Sequence, residues 1–343
     1  SPPDNSIGTI HADFDRARDP AFASRYNLSG VRRSLKPAGT ERRNPRSRGL
    51  DRKSTLEILR ALNREDARVA PAVRRELPKI ARAVDAIAKA FRRGGRLFYV
   101  GAGTSGRLAV LDAAECPPTF GTPPGMVRAM IAGGARSLGH ASEEAEDSAA
   151  NGARDLRRVG VKQPDVVVGL SASGTTPYVL GALDFAKRRG LITIGVTANP
   201  RSLLARRARI AIAPNTGPEA ITGSTRLKAG TAQKLVLNLL STAAMVRLGR
   251  VYENWMVHVA LTNQKLRRRG AQVLEEAAGV SASAAGHALR QAGHNLPAAL
   301  VMLKTGAGAR EARRWLAAAG GNVRQALAAA KKRHANIKTQ GRK

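Results

Sequence analysis

Twice in this chain a run of apolar residues passes directly into a turn of glycines and hydroxyl side chains, and from there into a helix-like segment. The first unit is RLFYVGAGTSGRLAVLDA, starting at Arg96, and the second is DVVVGLSASGTTPYVLGALDFAKRRG, starting at Asp165. The leading runs are short, β-branched or aromatic, and continuously apolar rather than alternating, the pattern of strands covered on both faces. LITIGVTANP and ARIAIAPNTG add further β runs. Strands alternating with helices restrict the fold to an α/β class with a doubly wound parallel sheet.

The remaining segments read as helices around this sheet. From Ser54 the apolar residues Leu56, Leu59 and Leu62, then Ile80, Val84, Ile87 and Phe91, recur at helical spacing. Ser54 and Glu57 form a capping-box signature, Pro71 and Pro78 divide the stretch into two or three helices, and Gly94-Gly95 closes it. From Leu227 to about Gly270 breakers are few, so continuous helix is expected. The Ala-rich stretch that follows predicts a small bundle of short helices joined by Gly turns. The expected organisation is an arm over residues 1–40, N-terminal helices over 41–86, the sheet domain over 87–250, a connecting helix over 251–270, a helical C-terminal domain over 271–335 and a fraying basic tail over 336–343.

With 58 Lys and Arg against 25 Asp and Glu, the formal charge is +33, which raises the question of nucleic acid. The basic residues are dispersed on polar helix turns rather than clustered, so a solvated basic surface is expected, without specific nucleic-acid binding. The lone Cys116 excludes an intrachain disulfide and fits a reducing compartment. No stretch reaches eighteen apolar residues and SPPDNSIGTI has no hydrophobic signal region, so the chain reads as cytoplasmic, without a membrane partner. Because it begins with Ser, a removed leader stays open.

The two turns carry the chemistry. In Gly101-Ala102-Gly103-Thr104-Ser105-Gly106 the glycines let the backbone approach an oxyanion, Thr104 and Ser105 offer hydroxyls, and the following helix aims its N-terminal amides at the same point. The string also fits the bare dinucleotide pattern, but that reading needs an acidic residue closing a second strand about 20 residues on. Glu115-Cys116-Pro117-Pro118-Thr119-Phe120 stands there instead, read as a Pro-containing loop. The second turn, with Ser171, Ser173, Thr175 and Thr176, ends its own strand, and in an open sheet the two turns meet at the carboxyl edge. The bland alternative is that these hydroxyls only cap their helices. His258, His287 and His294 lack metal-ligand spacing, and Cys116 has no adjacent His, so neither set is read as reactive.

Turns of the form G-x-G-x-S and S-x-S-G-x-T resemble those of sugar isomerase (SIS) domains, which bind phosphorylated sugars. GAGTSGRLAVLDAAECPPTFGTPP, SASGTTPYVLGAL and GPEAITGSTRLKAGTAQKLVLN resemble, more narrowly, the N-acetylmuramic acid 6-phosphate etherases, and TERRNPRSRGLDRKSTLEILRALNREDARVAPAV resembles the start of that family. The likeness runs from about Thr40 to about Ala330. It implies an SIS-type sheet domain with a small C-terminal domain like ubiquitin-associated modules. The implied reaction is syn elimination of D-lactate from an open-chain sugar phosphate followed by hydration, giving N-acetylglucosamine 6-phosphate in cell-wall amino-sugar recycling. One base and one acid suffice, with no metal or other cofactor. The resemblance assigns these roles to Glu115 and Glu146, and makes the small-molecule partner a sugar phosphate.

It further implies a homodimer with sites completed across the interface. Substrate or phosphate binding falls to Gly103, Thr104, Ser105, Ser171, Ser173, Thr175 and Thr176, and along GPEAITGSTRLKAG to Glu219, Ser224, Thr225 and Lys228. Without the resemblance Glu146 reads as one of several acids on a solvated helix face, and Lys228 as a surface cation. The family commonly carries Arg or Lys at the position of Thr175, so the second turn is less cationic here. The rivals are a non-catalytic sugar-phosphate sensor like glucokinase regulatory protein, disfavoured by the presence of both glutamates and a single SIS domain; an aldose-ketose isomerase, disfavoured by ECPPTF; and a DNA-binding regulator, for which no helix-turn-helix module stands out.

Overall fold

A computed structural model of the chain describes the backbone of residues 39–140, 144–261 and 263–340, with side chains as far as Lys332. All but the last two positions of the expected arm lie outside the described residues. Five parallel strands form one sheet: β1 (Leu97–Gly101), β2 (Val127–Ile131), β3 (Val166–Leu170), β4 (Ile192–Val196) and β5 (Ile210–Ile212), in the order β2-β1-β3-β4-β5. β1 pairs with β3 in a register that sets Gly101 opposite Leu170, so the two turns leave the sheet side by side. In this order β1 and β3 flank the topological switch point, where open α/β sheets leave a crevice.

Alternation within the strands feeds two cores. Leu97 and Tyr99 point to one face and Phe98 and Val100 to the other, all fully buried. The first face is covered by α3 (Leu77–Arg92), α4 (Gly103–Phe120) and α8 (Lys228–Arg247), with α1 (Thr55–Asp66) and α2 (Val69–Arg74) leading in. The second face carries α5 (Ala149–Arg158), α6 (Pro177–Arg188) and the short α7 (Leu203–Arg207). α5 and α6 pack backbone to backbone: a Cβ on Gly152 would overlap the Tyr178 carbonyl, and one on Gly181 the Ala149 carbonyl. That is how a chain with few aromatics fills its interior with small contacts. The Ser54–Glu57 capping box forms as expected.

Beyond α8 the expected continuous helix breaks. α8 ends at Arg247, Gly249 adopts φ +78°, and residues 248–261 run irregularly through a Tyr252–Trp255 bridge, with Glu253 also at positive φ. No single connecting helix covers 251–270; β-branched and aromatic side chains in VYENWMVHV suit extended backbone better than helix. α9 (Gln264–Ala278), α10 (Ala282–Gln291), α11 (Leu296–Thr305), α12 (Ala309–Ala318) and α13 (Val323–Gln340) follow, closed between elements by Gly279, Gly306 and Gly320-Gly321. They share a core of their own around Leu274, Leu300 and Trp315. α13 extends helically to Gln340 instead of fraying near 335, because no Gly or Pro interrupts it before Gly341.

Two further readings change. ECPPTF is the end of α4 and not a loop: the helix runs through Pro117 and Pro118 and stops at Gly121, in the left-handed region. β2 has no counterpart in the sequence reading. It is an edge strand of five residues containing Arg128, which masks its apolar run. It ends Ile131-Ala132-Gly133, so the acidic residue a dinucleotide site needs is still missing at its tip.

Candidate active site

At the carboxyl edge of β1 and β3 lies a pocket of about 340 Å³, within the range of small-ligand sites. Ala102 to Ser105 form one wall and Ser171, Ala172, Ser173 and Thr176 the facing one, closed by Glu41, Arg107, Glu146 and Thr225. Two helix N-termini open here. α4 starts after Ala102 and α6 after Thr176, and neither receives a capping hydrogen bond from a side chain. The alternative in which the hydroxyls serve as caps therefore does not describe these two ends. The first-turn amides of α4 have no helical carbonyl behind them, and with the positive end of the helix dipole they suit an anion.

The hydroxyls are arranged differently from the simple expectation of free donors. Ser105 donates to Gln233 Oε1 on α8 at 2.9 Å, so at this residue the amide, and not the hydroxyl, is open to an anion. In the second turn Ser171 Oγ accepts from the Gly174 amide at 3.0 Å and lies 2.7 Å from Thr176 Oγ1, while Ser173 and Thr175 pair at 2.9 Å. These contacts make a linked hydroxyl wall. Thr175 stands at its exposed end and does not line the pocket. Arg107, the lone cation lining the pocket among the described residues, donates to the carbonyls of Leu138 and His140, both at 3.0 Å.

Glu146 reaches the pocket from a short 3-10 turn, Glu144–Glu146, ahead of α5. Its Oε1 lies where a Cβ on Gly103 would be only 2.9 Å away, and Gly103 itself has φ +51°. Glycine is thus required twice at that position, by conformation and by the approach of the carboxylate. Glu115 lies elsewhere in the same chain. It is exposed on α4, twelve residues past Gly103, or about 18 Å along the helix, and it does not line this pocket. Leu111, 45% exposed, and Pro118 share its flank of the helix.

Of the four positions along 218–228, only Thr225 borders the pocket. Glu219 is fully buried and accepts from the Lys228 and Ala229 amides at 3.0 and 2.9 Å, acting as the N-terminal cap of α8. Burial, outweighing those hydrogen bonds, pushes its carboxyl above the usual range. Lys228, far from being a surface cation, is buried; its ammonium pairs with Glu65 and donates to Pro218 O at 2.7 Å. Ser224 sits beside the pocket without lining it. The positions missed by sequence reasoning are Glu41, Arg107 and the polar set Asn44, Arg46 and Glu65. Asn44 Nδ2 and Arg46 Nε donate to the two Glu65 oxygens at 2.8 and 2.6 Å. Burial pushes Glu65 up most strongly, but its bonds from Arg46, Lys228 and Asn44 together hold it down at about 2.

Cys116 is buried with its thiol toward Asp112 O at 3.3 Å, and burial next to Asp112 pushes it up to about 12, so it is no nucleophile. Among the described residues no cluster of His, Cys, Asp and Glu could hold a metal ion, and no helix is long and apolar enough to cross a membrane.

Comparison with known proteins adds the following. The profile of the glucokinase regulatory protein N-terminal SIS domain matches residues 79–187, and that of the SIS domain residues 149–243. An N-acetylmuramic acid 6-phosphate etherase of Yersinia pestis (strain Pestoides F) is 54% identical over 288 residues, covering 84% of this chain and 98% of its own. The protein of the same description from Yersinia pseudotuberculosis serotype O:1b (strain IP 31758) gives the same values. Among solved structures, a phosphoheptose isomerase from Francisella tularensis aligns over 57% of this chain and 100% of its own, at 16% identity and a TM-score of 0.42. A phosphoheptose isomerase from Neisseria gonorrhoeae aligns over 56% and 98%, at 16% identity and 0.42.

Proposed function

The chain belongs to the N-acetylmuramic acid 6-phosphate etherase family, carbon-oxygen lyases acting on a phosphorylated amino sugar, and on that premise we propose how its own residues carry out the reaction. The sugar phosphate binds with its phosphate at the open amides of α4 and the hydroxyl wall of the second turn. In the open-chain form the C1 aldehyde acidifies the C2 proton. A carboxylate removes that proton as a carboxylic acid protonates the lactyl ether oxygen on C3. The C2–H and C3–O bonds break, C2=C3 forms, and D-lactate leaves with the ether oxygen as its hydroxyl. Water then adds its oxygen to C3 and a proton to C2, giving N-acetylglucosamine 6-phosphate. The two carboxyls exchange roles between the half-reactions.

Glu146 is one of the pair. The observation that carries this reading is its carboxylate against Gly103, at the mouth of the anion-binding turn. Glu115 is the other, contributed by a second copy of the chain. Its distance from the pocket along α4 and its exposed flank with Leu111 and Pro118 favour a homodimer in which α4 of one protomer faces the pocket of its partner. Glu219 and Lys228 hold the 218–228 loop and do not touch substrate. We place the enzyme in the cytoplasm, where a sugar phosphate would be met.

The test is D-lactate release from N-acetylmuramic acid 6-phosphate by the wild type, Glu115→Gln and Glu146→Gln, and by a refolded equimolar mixture of the two variants. Each variant alone is inactive. In the mixture half the dimers are mixed, and each rebuilds one intact site, so about a quarter of wild-type activity returns. No return would place both carboxyls in one chain's site. Substrate binding without lactate from the wild type would favour the sensor reading, for which the regulatory-protein profile over residues 79–187 is the observation.

A further inference from the structure

The pocket holds a second carboxylate that the reaction scheme does not use. Glu41 comes from the opposite end of the sequence, in a 3-10 turn over Gly39–Glu41, and lines the same cavity as Glu146 and the phosphate-binding turn. Its placement is built. The flanking residues Thr40 and Asn44 are 1% and 3% exposed, although Glu41 itself opens to the surface. Asn44 is fixed by Glu65 and by Pro218 O at 3.2 Å, and Glu65 in turn by Arg46 and Lys228. The carboxylate lies over the loop that carries Thr225: Glu41 Oε2 is 3.3 Å from where a Cβ on Gly223 would stand, and Gly223 has φ +77°. Thr40 Oγ1 donates to its other oxygen at 3.4 Å.

An anion pocket gains nothing from a second negative charge unless the ligand brings hydrogen-bond donors to it. Among the described lining residues Arg107 is the lone cation, and it faces two carboxylates, Glu41 and Glu146, so it offsets the charge of at most one of them. A carboxylate only accepts hydrogen bonds, and an amino-sugar phosphate offers donors at its hydroxyls and acetamido N–H, whereas inorganic phosphate has only its own acidic O–H and none of the sugar's donors. We propose that Glu41 is a specificity-determining residue of the pocket, accepting hydrogen bonds from the sugar's hydroxyl or acetamido donors and repelling small anions that lack them. This rests on the sugar-phosphate reading above, and it adds a residue to substrate selection and none to proton transfer.

The experiment compares the wild type with Glu41→Gln and Glu41→Ala in two measurements on the full chain. In the first, D-lactate release from N-acetylmuramic acid 6-phosphate gives kcat and KM. Loss of a charge-assisted hydrogen bond is expected to raise KM about 10- to 100-fold with kcat within about 3-fold. In the second, titration with inorganic phosphate is followed by calorimetry. Here the variants should bind phosphate several-fold more tightly, a gain that a merely structural role would not produce. Unchanged KM and unchanged phosphate affinity would overturn the proposal. So would a large fall in kcat at constant KM, which would make Glu41 a proton-transfer group, or weaker phosphate binding. The phosphate titration needs no turnover, so it still decides the role of Glu41 if the wild type releases no lactate and the etherase reading itself fails.

Discussion

The helix N-termini of the sheet domain's pocket and those of the C-terminal helices solve the same problem in opposite ways. In the C-terminal unit, Asn263, Ser281 and Asn295 accept from the amides of Leu266, Ala284 and Ala298 and close α9, α10 and α11. At the pocket α4 begins at Ala102 and α6 at Thr176 with no such bond. α8 lies between the two cases: its start is closed by the distant carboxylate of Glu219 and tied down by the Lys228–Glu65 pair. Amides left open cost a helix about 1 kcal/mol of capping. The start of α12 at Gly308 is uncapped as well, so an open end alone marks nothing. What sets α4 and α6 apart is that two open ends converge on one crevice, which is the arrangement an anion there would use.

The sharpest way to separate site from scaffold is Glu146→Gln. It should lower kcat for lactate release about 10²- to 10⁴-fold, as expected for loss of a proton-transfer group. The change is isosteric, and the melting temperature should stay close to that of the wild type. A large loss of stability with modest loss of rate would place Glu146 in the scaffold and undo the contrast.

Glu65→Ala should do the reverse. It strands the buried Lys228 ammonium, and removing one partner of a buried pair costs about 3–5 kcal/mol, read as a lower denaturation midpoint. The linkage has a definite sign. Glu65 is held at about 2 in the folded chain against 4.5 for a free glutamate. Its contribution is therefore complete above pH 4.5 and is lost as the pH falls toward 2. Urea midpoints measured across that window should fall less steeply in Glu65→Gln than in the wild type. Equal slopes would remove Glu65 from the network that holds Glu41 and the 218–228 loop.

Why the crevice is legible in the sequence and its supports are not follows from sequence range. β1 and β3 are continuous apolar runs, and each turn follows its strand directly, so strand, turn and helix can be read locally. Glu146 needs the resemblance, because a run of Glu and Asp looks like a solvated helix face. Glu65 looks like one more exposed acid on α1. Only folding brings it to Asn44, Arg46 and Lys228, residues 19 to 163 positions away. Lys228 reads as a surface cation for the same reason. β2 escapes notice because one edge strand with an arginine gives no clean period. The break after Arg247 is equally hidden, since Gly249 is a lone breaker after a long helix and the β-branched and aromatic residues that follow it disfavour helix only weakly.

Gly103→Ala tests the crevice wall itself. A residue at φ +51° with a side chain aimed at Glu146 Oε1 should destabilise by about 1–3 kcal/mol. It should also displace the carboxylate, so rate and KM worsen together. If activity survives at full strength, the approach of Glu146 to the turn is not used in catalysis.

The smallest effects come from exchanging the two kinds of helix end. Asn295→Ala removes the cap of α11 and should cost about 1 kcal/mol while leaving KM unchanged, since α11 lies far from the crevice in sequence and packs in the C-terminal core. Ala102→Ser does the opposite. Ala102 already has the extended conformation of a capping residue, φ −129° and ψ 156°, so a hydroxyl there can close the amides of α4. That should raise stability by about 0.5–1 kcal/mol and weaken inorganic phosphate binding, because the new oxygen competes for the same N–H groups. Stability and phosphate affinity moving in opposite directions at Ala102, and independently at Asn295, is what open amides held for a ligand require. If capping α4 improves both, its N-terminus is an ordinary helix end and the phosphate must be held by the second turn alone.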